Sequence, residues 1–466
     1  MHHKLRLSLC TTLVALAISS CATTQEKNNM DVEQMNYFAG KTYAAELTSQ
    51  QQATENKWWL AYQSEQLNNL VAQGISANHN LRAAQNRYTA ALQQLGYEEA
   101  QHWPQGGVQL QATRQSVQDQ LSTNAQFGAS ALWQIDLFGR ISALTDAALA
   151  NSLQAQEQQI RLLTEVVSGI VRSYFEWQGK QLKLQIVQQQ IAALNESIEV
   201  LEARVEEGFA SNLDVNRTYA QLNQQKSLLP KIESEMYQIK TTLAVLLGTT
   251  ADTFTLQTEQ QIFSQNLLQP VALAQPEKAI QARSDIHIAL HRLTQQQALK
   301  EAADAALYPD ISISGFVGLL NPTGSSLSTS NDAWSVTPQI NWSILSLPAL
   351  KAQANAQDSL AQAALADYEN TVVSAVAESQ FALVNMQKSK TLIEFADKRL
   401  HHAQQANMQA KAMYEEGQVP YLDLLAARQD ALIAQQDAVD AKISYTLAKI
   451  ATYKAFSGGW SRTLFQ

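Results

Sequence analysis

Cysteine is almost absent: the 466 residues contain two, Cys10 and Cys21. A disulfide framework and cysteine-rich metal centres are thereby excluded. Long apolar runs are missing too. After Cys21 no stretch of eighteen apolar residues occurs, so the sequence holds no membrane-spanning helix beyond that point. Any passage of this chain through a bilayer would have to be as a β-barrel. Basic charge is in short supply, with 33 Lys and Arg against 42 Asp and Glu and a net charge of −9. Electrostatic binding of nucleic acid is therefore disfavoured. Glycine and proline are scarce where it matters, since Ala349 to Glu416 contains neither. No phosphate-cradling glycine loop, nucleophile elbow or carboxylate pair in a catalytic setting is present. The sequence offers neither an enzyme nor an energy source of its own.

What is present begins with MHHKLRLSLCTTLVALAISS. Lys4 and Arg6 form a charged start, and Leu7 to Ile18 an apolar run too short to span a membrane. The following "ISSC" is similar to a bacterial lipoprotein signal, in which residues 1–20 are removed and Cys21 is acylated, palmitate included. An ordinary secretory signal is the alternative. Processing would also remove Cys10, and would take the 33 basic residues to 31 and the net charge from −9 to −11. Ala22, rather than aspartate, after the cysteine resembles the signal for sorting to the outer membrane.

The chain then repeats itself. "EEGFASNLDV" from Glu206 returns as "EEGQVPYLDL" from Glu415; "VVSGIVRSYF" (166–175) returns as "VVSAVAESQF" (372–381); Trp103-Pro104 returns as Tyr308-Pro309. A nearly constant offset of about 205 residues means one unit written twice. Repeat one spans 61–260, with a helix, strands 106–117 and 127–136, a long helix 140–207 and a return helix 211–247. A linker covers 261–283. Repeat two spans 284–460, with a helix, strands 311–320 and 334–344, a long helix 349–416 and a return helix 420–456. An extended segment 21–60 precedes the repeats and a tail 461–466 follows. Helices near seventy residues need partners along their length. The helix before the strands and the return helix together match one long helix, which predicts each long helix packed beside a stacked pair. A solitary coiled-coil rod is the alternative, but it leaves the strands unexplained.

The strand stretches alternate cleanly. Phe127, Ala129, Ala131, Trp133 and Ile135 alternate with polar residues including Gln134 and Asp136; Trp334, Val336, Ile340 and Trp342 alternate with Ser335, Thr337, Gln339 and Asn341. Period two with one apolar face is the pattern of a transmembrane strand, lipid on one side and a watery lumen on the other. Gln134, Asp136, Gln339 and Asn341 are the lumen candidates. Pro338 fits an edge position better than a central one. Four strands cannot close a barrel, for which about eight are needed, and open edges are not tolerated in lipid. The chain must oligomerise: two copies give eight strands, three give twelve.

"WQIDLFGRIS", "EEGFASNLDV", "EEGQVPYLDLLAARQ" and the stretch from Asn56 to Ala91, with the Asp136–Arg140 run as the most specific piece, together resemble the outer-membrane efflux proteins. This is the TolC-like family, and the likeness is to its lipoprotein (NodT/OprM-like) branch, over about residues 50–460. The resemblance implies a mainly α fold with membrane β: tandem long helical hairpins forming an α-barrel, and four strands per chain in a shared twelve-stranded barrel of a homotrimer. It implies an outer-membrane exit duct exporting drugs or other small molecules, docked on a periplasmic adaptor and an inner-membrane pump, without catalysis, with no cofactor beyond the lipid on Cys21 and with no nucleic-acid partner. By the same resemblance the hairpin turns form the periplasmic tips. Glu206, Glu207, Gly208, Glu415, Glu416 and Gly417 are candidate adaptor contacts, with solvated helix ends as the other reading. Asp423 and Tyr414 match residues of the family's narrow entrance, where three copies of a carboxylate would favour cations. Ala426 and Val419 depart from the polar residues that some relatives carry, with Arg217 and Arg428 as substitutes. Asp214 follows "SNL" at a helix start and is read structurally. The competing class is a lipid-anchored periplasmic adaptor or scaffold without a pore.

His287 and His291 share a helix face, but Ile288 stands where a zinc peptidase needs glutamate. Their counterparts in repeat one are Arg82 and Asn86, so they are read as polar helix surface. His401 and His402 are adjacent and do not share a helix face.

Overall fold

A computed structural model describes residues 55–117, 120–259, 262–263, 276–322 and 332–456. The signal segment, Cys21 and the tail 461–466 lie outside the described residues. The elements run α1 (Glu65–Ala77), α2 (His79–Ala100), β1 (Gln105–Val117), β2 (Gln120–Ile135), α3 (Arg140–Glu206), α4 (Asn212–Leu246), α5 (Pro276–Gln281), α6 (Ser284–Ala305), β3 (Asp310–Pro322), β4 (Asp332–Asn341), α7 (Leu347–Glu415) and α8 (Tyr421–Phe456). Each repeat thus gives a short helix, a strand pair, a long helix and a return helix. With 67 residues in α3 and 69 in α7, each long helix extends about 100 Å.

The helices lie in one layer whose order follows from their contacts. Helix α3 has α2 and α4 on one flank and α6 and α8 on the other, and α7 packs on α6 and α8. The consequence is visible in burial. Nearly equal in length, α3 buries 26 residues and α7 only 11. Helix α3 is covered on both flanks and α7 on one. Phe381 and Phe395 of α7 remain mostly exposed. At the α3–α8 contact an added β-carbon on Gly179 would come within 2.2 Å of Ile443 Cδ1, so that side chain would have to shift.

The sheet repeats that order. Its four antiparallel strands run β1-β2-β3-β4, so the β2–β3 pairing joins the repeats and leaves β1 and β4 as edges. Register places like with like. Leu110 faces Phe127, Ala129 faces Val317, Val317 faces Trp334, Trp133 faces Ile313 and Ile311 faces Ile340, while Gln134, Ser312 and Gln339 align on the other face. Pro338 lies in β4, the last strand of the sheet, opposite Ile313.

Several sequence expectations need correction. The second strand begins at Gln120, well before 127, because polar residues continue the ladder with β1 as far as Val117 opposite Gln120. It ends at Ile135, leaving Asp136 outside the strand. The fourth strand runs from Asp332 to Asn341 rather than 334–344; beyond it Ile344–Ser346 form a 3₁₀ turn into α7. The segment expected to be extended to residue 60 forms short 3₁₀ turns between Glu55 and Tyr62, kinked at Lys57. It folds because Trp58, Trp59 and Tyr62 are buried.

These aromatics belong to the main core, which lies midway along the long helices. Trp58 stacks on Tyr453 with centroids 4.9 Å apart, and Tyr62 packs on Phe175 at 4.6 Å. Leu67, Val71, Val167, Ile170, Tyr174 and Leu243 complete its centre. Ser64 accepts from the Leu67 amide at 3.1 Å and so caps α1. One cation intrudes. Lys449 is buried, its ammonium 5.6 Å from the Tyr62 ring centroid, and burial pushes its pKa down to about 8. Between that value and the unfolded lysine's, near 10.4, the folded chain has released a proton that the unfolded chain retains. Stability should therefore rise as pH climbs from about 8 toward 10, and that gain should be lost as pH returns to 8. Lys449→Met is expected to remove the rise, worth at most about 3 kcal/mol, in thermal unfolding at pH 7.5 and 9.5. Equal pH responses in both proteins would refute the assignment.

Candidate functional site

Two regions carry the functional geometry: the sheet at one end of the long helices and the hairpin turns at the other. On the sheet, the aligned apolar side chains have no cover. Trp334 is 78%, Val108 74% and Ile340 74% exposed, and no second layer packs on them among the described residues. A face this apolar, on strands of 10 to 16 residues, fits the hydrocarbon thickness of a bilayer. No helix among the described residues is long and apolar enough to cross a membrane.

Where strand meets helix, aromatics gather, and both repeats solve the junction in the same way. Trp133 Nε1 donates to the His102 carbonyl at 2.9 Å, and Trp342 Nε1 donates to the Leu307 carbonyl at 3.1 Å. Phe138 stacks on Tyr308 at 4.9 Å, and Trp103, the counterpart of Tyr308 in repeat one, is largely exposed. Such a belt suits the membrane–water boundary. From the sequence alone, Trp133 and Trp342 are apolar strand residues. The signal for their second role was their recurrence at the repeat offset.

The lumen candidates divide. Gln134 lies in β2, where Nε2 donates to Asp310 Oδ1 at 3.2 Å, and Arg140 pairs with the same carboxylate at 3.5 Å. Gln339 and Asn341 lie in β4, opposite Ser312 and Asp310. Asp136 does not join them. Its Oδ1 accepts from the Ile141 amide at 2.9 Å, and its Oδ2 accepts from the Ser142 amide at 2.8 Å and the Ser142 hydroxyl at 2.6 Å. Although partial burial opposes its charge, the Ser142 hydroxyl and the two amides hold the carboxyl below its ordinary value. Asp136 caps the start of α3, with Gly139 at φ 77° bending the chain into the helix.

At the opposite end the two turns are closed by one motif. In the first, the Gly208 amide donates to Val205 O at 3.0 Å and the Phe209 amide to Arg204 O at 2.8 Å; in the second, Gly417 donates to Tyr414 O at 3.0 Å and Gln418 to Met413 O at 2.8 Å. With φ of 82° at Gly208 and 74° at Gly417, these are Schellman caps, which a β-carbon would strain. Glu206, Glu207, Glu415 and Glu416 are all exposed. Glu415 pairs with Lys411 at 3.8 Å, and Gln418 donates to Glu416. Phe209 is exposed beside the first acidic pair.

Above the turns a small core of Leu194, Ile198, Leu201, Val215, Leu222, Leu424 and Leu425 binds the hairpins together. Tyr414 belongs to this seam: its hydroxyl accepts from Arg204 Nη1 at 2.9 Å, that guanidinium lies 5.1 Å from the ring centroid, and the ring meets Tyr421 edge-on at 5.4 Å. Arg428 Nη1 donates to Ser197 Oγ, so it too ties the hairpins of one chain. Arg217 is exposed. Asp214 is half-buried in the first turn of α4, and its carbonyl accepts from the Thr218 hydroxyl at 2.7 Å. Asp423 is exposed in the first turn of α8, and no side-chain partner meets it among the described residues.

A lipid-facing strand sheet continuous with long helical hairpins defines a membrane channel with a long water-exposed helical part. The comparisons give its family. The family described as outer membrane efflux protein matches residues 70–249 and 275–458, and the chain belongs to that family: it is an outer-membrane efflux channel. The chain is 25% identical to the cation efflux system protein CusC of Escherichia coli over 452 residues, covering 96% of this chain and 98% of that one. It is also 25% identical to the toluene efflux pump outer membrane protein TtgC of Pseudomonas putida over 436 residues, covering 90% and 89%. Among solved structures, the outer-membrane channel OprN superposes with a TM-score of 0.84 at 27% identity, covering 90% of this chain and 96% of that chain. A pore-free adaptor or scaffold does not fit these relatives.

A charge on the outward face should be costly, and the same charge on the inward face should not. Val336→Arg is expected to cost about 2–4 kcal/mol if it sits near mid-bilayer, and to abolish the heat-dissociable oligomer in outer-membrane fractions. Gln339→Arg should leave that oligomer intact. Equal loss in both variants would contradict the two-faced sheet.

Proposed function

We propose that three copies assemble head to tail into the exit duct of a tripartite efflux system, moving small molecules outward together with a periplasmic adaptor and an inner-membrane pump. One observation carries this reading. The sheet and the helical layer are open at the same two ends, β1 with α2 and α4 at one end and β4 with α7 at the other. A chain with complementary open edges closes by a repeated heterologous contact, and three copies supply twelve strands, enough for a water-filled lumen. The duct performs no chemistry; the driving force comes from its partners.

The roles of individual residues follow from position. Glu206, Glu207, Glu415 and Glu416, held outward by the caps at Gly208 and Gly417, form the rim that meets the adaptor. Tyr414 and Arg428 hold the hairpins of one chain together at the entrance. Asp423, exposed at the start of its return helix, is the carboxylate that reaches the axis, and Asp214 is structural. Gln134, Gln339 and Asn341 line the barrel, and Cys21 carries the lipid that anchors the N-terminus to the outer membrane. The relatives' names mention cations and toluene, and a passive, water-lined duct accommodates either.

Planar-bilayer recordings test the entrance. Asp423→Ala should reduce cation over anion selectivity several-fold, because a ring of three carboxylates is removed, whereas Asp214→Ala should leave it unchanged. Unchanged selectivity in Asp423→Ala removes that residue from the constriction.

A further inference from the structure

The structure brings together two histidines and a carboxylate that lie far apart in sequence. His287 and His291 stand one turn apart on α6, their rings 6.2 Å apart and 27° from parallel. Helix α6 packs on α3 along its length, and this contact sets Glu157 of α3 against the pair. One ligand atom from each of the three lies within 4.8 Å of the others. Glu157 is only 3% exposed and the imidazoles are half-buried. Taking a carboxylate out of water is costly unless it is paired or ligates a cation.

We propose that Glu157, His287 and His291 form a binding site for a divalent late transition-metal ion, zinc being the simplest, at the seam between the two repeats. The donor set selects the class. Two imidazole nitrogens and one carboxylate oxygen suit Zn²⁺ and its neighbours. Calcium and magnesium call for more oxygen ligands, and monovalent copper for sulfur. An ion about 2.0–2.1 Å from each ligand holds tetrahedral neighbours roughly 3.3 Å apart, so the three donors, now within 4.8 Å of one another, must draw in by a little over an ångström on binding. Three protein ligands leave a fourth position for water. The counterpart helix α2 carries Arg82 and Asn86 instead, so the site belongs to one repeat only and occurs once per chain. Its role is a clamp between α3 and α6, distinct from the tips and from the sheet, and it does not depend on what the duct exports.

The test uses the full-length protein in detergent, stripped with chelator and dialysed against zinc alone. The expected result is one zinc per chain and a higher midpoint of thermal unfolding with metal than without. Glu157→Gln and His291→Gln should each weaken binding at least tenfold, since even outer residues of metal sites typically cost about 10–100-fold. Both variants should remain oligomeric and lose the zinc-dependent gain in stability. Cobalt offers an independent signature: intense visible absorption of a tetrahedral centre in the parent protein, absent in His287→Gln. No stoichiometric zinc in the parent protein overturns the proposal, as does stoichiometric zinc that survives in a variant lacking all three ligands.

Discussion

Everything in this structure depends on two unpaired edges. Strands β1 and β4 each present backbone N–H and C=O groups that nothing among the described residues satisfies, on a sheet whose outward side chains suit lipid. In a bilayer each such group costs several kcal/mol. The chain is therefore not a complete folding unit at its membrane end, and the remedy is another copy of itself. The helical layer makes the same demand independently, since α7 buries 11 residues where α3, of nearly equal length, buries 26. Strand hydrogen bonding and helix packing are different forces, yet both leave the chain open at the same two ends. That coincidence makes a closed ring the economical solution.

The long helices transmit the consequence. Because each strand pair leads directly into one of them, the geometry of the barrel sets where the helices start, and two unequal cores fix where they go. The aromatic core around Tyr62, Tyr174 and Phe175 holds the helices at mid-length, while a small leucine-rich core holds the tips. The tip is sparsely packed: Arg204–Tyr414 and Arg428–Ser197 are polar ties rather than bulk packing, and polar ties can be exchanged without unmaking the rest. The glycine caps at 208 and 417 close both turns in the same way and leave the acidic pairs exposed, so the two tips of one chain are quasi-equivalent surfaces.

Much of this was legible in the sequence, because it rests on periodicity. The duplication, the long helices and the two-faced strands are repeating patterns, and patterns survive divergence. What escaped was set by single contacts. Asp136 alternates with Trp133 and Ile135 as a lumen residue would, yet it lies one residue beyond β2, where the amides of Ile141 and Ser142 claim its carboxylate. Trp58 and Trp59 look like part of a leader to the repeats, but they fill the main core, since burial of large aromatic surface outweighs the weak helical preference of that segment. Glu157 could not be linked to His287 and His291 from spacing alone, because the α3–α6 contact that joins them arises only where the two repeats meet.

Disulfide trapping across the open edges tests this account most directly. The chain's only cysteines, Cys10 and Cys21, lie far from the sheet in sequence, so pairs can be introduced with one cysteine among the lumen-facing positions of β1 and one among those of β4. Oxidation in intact outer membranes should yield, for at least one register, a covalent series that stops at three chains. A product confined to single chains across all registers would show that β1 and β4 do not meet between copies, and the duct described here would not form.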